Sequence, residues 1–366
     1  MFRIAQLGSY DRNIGDNIAL YNIREFLELN RPKTKEKIEW INLDISSTFH
    51  DSKNSIEHSK NVFKDLQENH NIDMLIIGGG GLIENDEKYD SGWKLPFTEE
   101  VLKEIEVPIV VFASGINYFY NFPKLNDKAK KEVINLANKS ALFSLRNDGS
   151  VEIFKSFCDS KVEELPDPGL VFNPEFIQNN KVKEIKDGCF QPAWNNSYIQ
   201  KIGRGFTSDN IAKINRFCIE NKLVNFCHTS KDFSFPWQSK KYVIPRHLFE
   251  IACKFDNVLK SIDLYNVHDF AVVMRGHGQL ITIGINLPAI YLSTQPKLIE
   301  FSKKNNFLDY TVDIREENWF DNLKSKTDLL KNNQDYLNNW YEIRNKNVLL
   351  YNKQMNDFCK KVWELL

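Results

Sequence analysis

An arginine and a histidine follow an apolar run near residue 270. The run, residues 270–274, ends at Arg275, Gly276 and His277, and a second apolar run comes after a short glycine-containing segment. This order predicts a strand, a turn, a helix and another strand. In an open α/β sheet, ligands bind beyond the carboxyl ends of the strands, where a guanidinium can grip a carboxylate or phosphate with two hydrogen bonds. The pattern predicts an anion site, with a structural ion pair for Arg275 as the alternative.

A second arginine occupies the same kind of position. Arg146 follows the apolar run 141–145, and a predicted helix begins just after it, near Ser150. Two strand-end arginines beside helix N-termini could together hold a small anion with several charges, because the free backbone N–H groups also favour negative charge. We therefore predict that Arg146 joins Arg275 at one site, with a surface ion pair for Arg146 as the alternative.

The first predicted strand, residues 3–7, leads into a polar loop that contains Asn13, Gly15 and Asp16. A helix should start there with Asp16 or Asn17 as its N-cap, and the N–H groups of a first helical turn can bind anions or hydroxyls. The spacing matches neither a phosphate-binding P-loop nor G-x-G-x-x-G. The loop is a candidate ligand contact, and a purely structural cap is the alternative.

Four consecutive glycines, residues 78–81, come directly after the predicted strand 73–77. Glycines let backbone N–H groups converge and let a ligand approach the chain closely. We predict that Gly79 and Gly80 contact a ligand. A tight turn in which no side chain fits is the alternative.

Two further polar residues have weaker signals. His228 comes just past the predicted strand 222–227, where it could face the same cleft or form a structural hydrogen bond in the core. Lys297 follows Pro296 and could reach an anion, but a solvated side chain is expected.

The composition is that of an ordinary globular protein. Its 366 residues are 42% hydrophobic and 27% charged, and the formal net charge is −1, so nothing favours bulk attraction to nucleic acid. The six cysteines show neither C-x-x-C pairing nor metal-ligand spacing, which predicts reduced thiols. No apolar run reaches the ~18 residues of a membrane span, and the first residues read as a strand. We expect a cytoplasmic protein, at most peripheral at the inner face of the membrane.

Strand-like and helix-like segments alternate along the chain, which predicts α/β domains with parallel sheets. The predicted helices include residues 127–139, 208–220 and 248–258. We expect two Rossmann-like, doubly wound domains that face each other across a cleft. The first would span residues 1–172, on the acceptor side, and the second residues 173–335, on the donor side. Residues 336–366 form an amphipathic helical tail that could pack back on the first domain.

Taken together, these positions resemble the polysaccharide pyruvyltransferase family over roughly residues 3–300. The matching residues are Asn13-Ile14-Gly15-Asp16, Gly78-Gly79-Gly80 with Leu82-Ile83, Ser114-Gly115-Ile116, Leu145-Arg146-Asn147-Asp148-Gly149-Ser150, Pro166-Asp167-Pro168, Arg275-Gly276-His277, Gly284, Pro288 and Lys297. No single motif is diagnostic, but the ordered set is fairly specific. The chain departs from the family at Asn147, where aspartate is frequent, and at Gly276, where a larger residue is common.

The resemblance implies a GT-B-type enzyme that moves the pyruvyl skeleton of phosphoenolpyruvate onto a saccharide. The acceptor would be a cell-surface polysaccharide or its precursor, lipid-linked or nucleotide-linked. The reaction would close a cyclic ketal across two hydroxyls and release phosphate. The resemblance implies no metal and no cofactor, with phosphoenolpyruvate as the co-substrate.

The resemblance also implies roles for the candidate residues. Donor binding is assigned to Arg146, Arg275 and His277, with Gly276 and Ser150 beside them. His277 would protonate the donor or assist the departure of phosphate, and Asp16 would act as a base or orient the acceptor; with Arg275 they form the expected catalytic set. The expected acceptor contacts are Asn13, Gly15, Asp16, Gly79, Gly80 and His228.

Two other functions fit the same patterns. A GT-B glycosyltransferase would use the glycine run and Arg275 to hold the diphosphate of a nucleotide sugar. A non-catalytic saccharide- or anion-binding module would bind the ligand without releasing phosphate. The sequence identifies neither the acceptor sugar and its carrier, nor the bridged hydroxyls and the ketal stereochemistry, nor the oligomeric state.

Overall fold

The first part of the chain forms a parallel sheet of six strands in the order β2-β1-β3-β4-β5-β6. The computed structural model describes residues 1–49, 55–87, 89–120, 125–170, 185–194, 207–238 and 243–366. The strands are β1 (Phe2–Gly8), β2 (Ile38–Asp44), β3 (Met74–Ile83), β4 (Ile109–Ile116), β5 (Leu142–Arg146) and β6 (Glu163–Leu165). The helices are α1 (Ile14–Leu29), α2 (Ile45–Phe49), α3 (Ile56–Glu68), α4 (Glu99–Lys103), α5 (Asp127–Lys139) and α6 (Ser150–Lys155).

The second part forms a parallel sheet whose five described strands have the order β11-β10-β9-β7-β8. The strands are β7 (Gly188–Gln191), β8 (Val224–Asn225), β9 (Phe270–Val273), β10 (Ala289–Ser293) and β11 (Thr311–Asp313). The helices are α7 (Ser208–Glu220), α8 (Arg246–Ala252), α9 (Val258–Asn266), α10 (Gly276–Gly284), α11 (Pro296–Lys304), α12 (Trp319–Asn332) and α13 (Gln334–Glu364).

Both sheets change winding direction between their first and third strands, β1 and β3 in one and β7 and β9 in the other. In such sheets the crevice beyond the strand carboxyl ends at the switch point is the ligand-binding position. The predicted fold class, two parallel α/β sheets, is confirmed. The predicted boundary between residues 172 and 173 lies outside the described residues, so the division into three domains stays a prediction.

The continuous apolar runs in the strands reflect burial on both faces. In β1, Ile4 contributes to one hydrophobic core and its neighbour Ala5 to the core on the opposite face of the sheet. In β3, Ile76 and Ile77 divide in the same way. Parallel sheets covered on both faces require this pattern.

The glycine run continues a strand instead of ending one. Residues 78–81 belong to β3 and pair with β4, with a register shift after Gly80. Gly79 and Gly80 have φ values of +84° and +148°, which side chains rarely adopt. A Cβ on Gly79 would lie 2.9 Å from Leu20 Cδ2, so this glycine lets α1 pack closely on the strand. The alternative of a tight turn after residue 77 is therefore wrong, because the strand continues and the glycines permit close helix packing.

The helix expected over residues 248–258 is interrupted. α8 ends at Ala252, and a 3-10 turn separates it from α9. Here the Cys253 carbonyl accepts a hydrogen bond from Asn17 Nδ2 at 2.7 Å, and the Phe255 N–H donates to Asp11 Oδ1 at 2.7 Å. These bonds to the α1 region replace helical ones, so a tertiary contact breaks the helix.

The C-terminal helix α13 joins both parts of the molecule. Trp363 Nε1 donates to the Leu27 carbonyl at 2.8 Å, and the Phe358 ring packs edge-on against Phe112 with centroids 4.9 Å apart. Arg344 Nη2 donates to the Gly284 carbonyl, at 2.7 Å, on the second sheet's side. The expected packing of the tail on the first domain is confirmed. Among the described helices, none combines the length and apolarity needed to cross a bilayer.

Candidate active site

A cavity of about 340 Å³ lies where the carboxyl ends of the two sheets meet. Its walls come from the segments that follow β1, β3, β4, β5 and β9, and from α11. Six of the predicted site residues line it: Asn13, Asp16, Arg146, Arg275, Gly276 and His277. Residues from both parts of the chain therefore meet in one place, as the strand-end pattern predicts.

Arg146 is the last residue of β5, and its guanidinium is buried between two carboxylates. Nη1 lies 2.6 Å from Asp167 Oδ2, and Nη2 lies 2.8 Å from Asp148 Oδ2. Burial alone would lower the pKa of Arg146, but Asp148 and Asp167 outweigh it and raise the pKa above its ordinary value. Nε makes no hydrogen bond to any described residue. Arg146 is thus a permanent cation with one donor still to be used.

Arg275 is the N-cap of α10, and its side chain is held by Asp232. Its Nε lies 3.1 Å from Asp232 Oδ2, and Nη2 also contacts Oδ1 of the same carboxylate. Asp232 is fully buried and accepts hydrogen bonds from the backbone N–H groups of Trp194, His228 and Thr229. Each arginine lines the cavity and also makes an ion pair. The alternative of a surface ion pair for Arg146 is wrong, because its guanidinium is buried.

His277 stands between two carboxylates in the first turn of α10. Its Nδ1 lies 3.4 Å from Asp16 Oδ1 on α1, and its Nε2 lies 3.8 Å from Asp167 Oδ2. Burial lowers the pKa of His277 and raises the pKa of Asp16, although their mutual attraction opposes both shifts. The two pKa values therefore approach each other, which lowers the cost of moving a proton between these groups.

Asp167 connects His277 with Arg146. Its Oδ1 accepts a hydrogen bond from the Gly169 N–H at 2.8 Å, which fixes the carboxylate. Burial raises the pKa of Asp167, but Arg146, His277 and the Gly169 N–H together outweigh it and hold the pKa below its ordinary value. Asp167 is therefore ionised at neutral pH and lies between Arg146 and His277, which it orients.

Two glycines leave room for these side chains. A Cβ on Gly15 would overlap the His277 side chain, and a Cβ on Gly115 would overlap the Arg146 guanidinium. Neither glycine has a positive φ, so the backbone conformation does not require glycine at either position. The close approach of the His277 and Arg146 side chains does.

The start of α1 differs from the prediction. The N-cap is Asn13, whose side-chain oxygen accepts a hydrogen bond from the Gly15 N–H at 2.9 Å, so the predicted caps Asp16 and Asn17 are wrong. Asn17 is buried, accepts from the Asp11 N–H and donates to the Cys253 carbonyl. This leaves the Asp16 carboxylate to face His277.

Five predicted site residues do not line the cavity: Gly15, Gly79, Gly80, Ser150 and His228. The Ser150 hydroxyl donates to Asp148 Oδ1 and accepts from the Ile116 N–H. The His228 ring is fully buried, with Nε2 2.6 Å from the Tyr265 hydroxyl, and burial sets its pKa well below the ordinary value. Their roles as donor or acceptor contacts stay predictions.

Sequence reasoning missed Lys297 as a cavity residue. Its ammonium lies in the cavity wall, where Nζ donates to Asn117 Oδ1 at 2.7 Å, so the expected solvated position is wrong. Burial, together with the nearby Arg146, lowers the pKa of Lys297 to about 8. Lys297 follows β10 at the start of α11, as Arg275 follows β9 at the start of α10, and this repeated position was the available signal.

All six cysteines are free thiols, and five of them are buried. Within the described ranges, no group of three or more histidine, cysteine, aspartate or glutamate side chains is arranged to hold a metal ion.

The chain resembles solved structures of one architecture. The S. aureus MnaA–UDP structure is 12% identical over 92% of this chain and 90% of that chain, with a TM-score of 0.54. The UDP-GlcNAc 2-epimerase from Neisseria meningitidis bound to UDP-GlcNAc is 11% identical over the whole of both chains, also with a TM-score of 0.54. The epimerase from Methanocaldococcus jannaschii with UDP-GlcNAc and UDP is 12% identical, covers 91% of this chain and 94% of that chain, and has a TM-score of 0.51. At these identities the likeness shows the GT-B fold alone.

The family follows from a separate comparison. A search of curated proteins found no match. The family model for polysaccharide pyruvyl transferase matches residues 13–296, a stretch that begins at the N-cap of α1 and ends at the start of α11. Arg146, Arg275 and His277 lie within the match, and Lys297 lies one residue beyond its end. The chain belongs to the polysaccharide pyruvyl transferase family.

Proposed function

We propose that this protein transfers the pyruvyl group of phosphoenolpyruvate to two hydroxyls of a saccharide, forming a cyclic ketal and releasing phosphate. The observation that carries the proposal is the convergence of Arg146 and Arg275, from different sheets, on one cavity. His277 and Lys297 line the same cavity. The acceptor is a polysaccharide or its precursor, and its carrier is lipid or nucleotide.

The charge of the donor matches these side chains. Phosphoenolpyruvate carries a carboxylate and a phosphate on three carbons, and burying such charges without partners costs several kcal/mol each. Arg146 Nε and His277 Nε2 make no hydrogen bond within the described part of the chain, and both side chains line the cavity. The first turn of α10 lies at the cavity wall, and a helix N-terminus favours a bound anion.

The proposed chemistry begins with protonation of the methylene carbon of the donor. His277 supplies the proton, and a saccharide hydroxyl bonds to the neighbouring carbon, which acquires oxocarbenium character. Asp16 receives the hydroxyl proton, directly or through His277. The carbon–oxygen bond to phosphate then breaks, with the electron pair leaving on phosphate beside the arginines. The second hydroxyl adds to the same carbon and its proton leaves on phosphate or through Asp16, which closes the ketal.

No step in this sequence changes the oxidation level of the system as a whole, since addition to the double bond is followed by loss of phosphate. We therefore propose phosphoenolpyruvate as co-substrate without a further cofactor. General acid–base catalysis of this kind contributes roughly 10²–10⁴-fold to the rate.

The test is acceptor-dependent release of phosphate from phosphoenolpyruvate, measured over a panel of methyl hexosides with mass spectrometry of the products. A product that carries ketal-linked pyruvate is expected, and turnover should be lost in His277→Asn. The Asp127→Asn variant, changed on the exposed first turn of α5, is the control.

Two outcomes would replace the proposal. Sugar transfer from a UDP-sugar, without phosphate release from phosphoenolpyruvate, would identify a nucleotide-sugar glycosyltransferase. A rise in melting temperature with phosphoenolpyruvate, without turnover for any acceptor, would identify a binding module.

A further inference from the structure

In the segment after β4, residues 117–120, two side chains line the cavity and the two that alternate with them lie outside it. Asn117 and Phe119 line the cavity. Tyr118 places its hydroxyl oxygen 3.3 Å from the position of a Cβ on Gly149, and the Arg315 guanidinium lies 3.3 Å from the centroid of the Tyr120 ring. The two tyrosines therefore anchor the segment from behind, and the two cavity residues are held in place by them.

A row of polar groups extends from Asn117 along the same wall. Asn117 Nδ2 donates to the Gly81 carbonyl at 2.6 Å and lies 3.3 Å from Glu84 Oε2. Lys94 Nζ lies 2.6 Å from the same oxygen of Glu84, and Lys297 Nζ donates to Asn117 Oδ1. Carboxylate, amide and ammonium groups fixed in this way can accept from and donate to several hydroxyls at once.

The charge of Glu84 separates this wall from the arginines. The Glu84 carboxylate is paired with Lys94 at 2.6 Å and its side chain is 10% exposed, so it supplies hydrogen-bond acceptors but no cation for a trianionic donor. A neutral polyol can donate its hydroxyl groups to such acceptors. The apolar face of Phe119 suits the C–H face of a sugar ring, and pockets that combine aromatic surface with a few placed polar groups bind small organic ligands.

We infer that Glu84, Asn117 and Phe119 form the binding subsite for the acceptor saccharide, with Phe119 against the C–H face of the ring and Glu84 and Asn117 on its hydroxyls. This rests on the proposed pyruvyl transfer. It assigns the acceptor to the wall built from β3 and β4, next to the donor, in one cavity of about 340 Å³.

The first experiment measures steady-state phosphate release with the best methyl hexoside of the panel. Phe119→Leu keeps apolar volume but removes the aromatic face, and Glu84→Gln keeps the shape but removes the charge. Both should raise the KM for the hexoside about tenfold and leave the KM for phosphoenolpyruvate nearly unchanged. Asp127→Asn, changed on the exposed first turn of α5, is the control and should behave as the wild type. Unchanged hexoside KM values in both test variants would overturn the inference.

A second experiment does not depend on turnover and separates this inference from the proposed function. Saturation-transfer NMR is recorded with phosphoenolpyruvate and one hexoside: methyl β-galactoside, methyl α-mannoside or methyl N-acetyl-β-glucosaminide. Two proteins are compared, one with His277→Asn alone and one with His277→Asn and Phe119→Leu together. A hexoside signal that is strongly reduced by Phe119→Leu supports the subsite even if the wild type releases no phosphate. An equal signal in both proteins, or no signal from any hexoside, refutes it.

Discussion

Asp16 Oδ1 lies 3.4 Å from His277 Nδ1, although the two residues are separated by most of the chain. Asp16 belongs to the helix that follows the first strand, and His277 to the helix that follows β9 in the other sheet. Burial moves their pKa values toward each other. This pair spans the two sheets and is the arrangement best suited to moving a proton in the cavity.

We expect Asp16→Asn to lower kcat by about 10²–10⁴-fold, because an amide cannot take the proton that this pair would exchange. The KM for phosphoenolpyruvate should change little, since Asp16 carries the wrong charge to bind an anion. Phosphate-release kinetics provide the measurement, with Asp127→Asn as the control. A kcat within a few-fold of the wild type would exclude Asp16 from proton transfer.

Lys297 should give the reaction a basic limb in its pH profile. Its pKa is lowered to about 8 by burial and by Arg146, so above that pH it loses its charge in the free enzyme. If its charge binds the donor, kcat/KM for phosphoenolpyruvate should fall about tenfold per pH unit beyond pH 8. Lys297→Met should already have the low value at pH 7 and should lack this limb. A wild-type profile that stays level to pH 9.5 would contradict this, because a lysine keeps its charge to that pH only with a pKa near its ordinary value of about 10.4.

Gly15→Ala and Gly276→Ala form a matched pair. The new Cβ at residue 15 would overlap the His277 side chain, whereas at residue 276 the nearest atom is Lys297 Cε, 4.0 Å away. We expect Gly15→Ala to displace His277 and abolish most of the turnover. Gly276→Ala should stay active and gain about 0.4–1 kcal/mol in the free energy of unfolding, because alanine restricts the unfolded chain. Equal kcat values in the two variants would refute the steric role of Gly15.

Asp167→Asn should lower the free energy of unfolding by about 3 kcal/mol at neutral pH, because it removes one partner of a buried ion pair. Arg146 keeps Asp148 as a partner, which limits the loss. The pKa of Asp167 is held below 3.8 in the folded protein, so its ionisation stabilises the fold above that pH. The difference between variant and wild type should therefore be constant down to about pH 5 and shrink as the pH falls below 3.8.

Urea titrations at several pH values measure this difference. Asp335→Asn, at the exposed start of α13, is the control and should show no comparable loss. A difference that grows on acidification would contradict the assigned direction of the pKa shift.

Trp363 should be a main anchor of the C-terminal helix. It is 2% exposed, donates to the Leu27 carbonyl, and packs edge-on against Phe2 with centroids 6.1 Å apart. Trp363→Ala should cost about 3–5 kcal/mol in the free energy of unfolding. Leu349 on the same helix is 73% exposed, and Leu349→Ala should change the stability by less than about 0.5 kcal/mol. Similar urea midpoints for the two variants would show that the helix end does not contribute to the fold.

Much of the architecture is encoded locally. Apolar runs that alternate with segments of helical periodicity predict the parallel sheets. The helices α5 and α7 have the predicted bounds, residues 127–139 and 208–220. Arg146 and Arg275 stand at strand ends in the sequence itself, so their convergence follows from the geometry of parallel sheets. The packing of Leu20 against the glycine run of β3 is a tertiary contact, which no local pattern reveals.

The sequence by itself determined the two α/β halves, the strand-end cations and the family resemblance, because these depend on residues close together in the chain. Only the tertiary structure decided which carboxylate holds each cation, that Lys297 is drawn into the cavity, and that Phe119 and Glu84 form one wall with Asn117. These contacts join residues from separate strands and from both sheets. The short distances between these residues and the shifts of their pKa values arise only when packing excludes water and brings the carboxyl ends of the two sheets together.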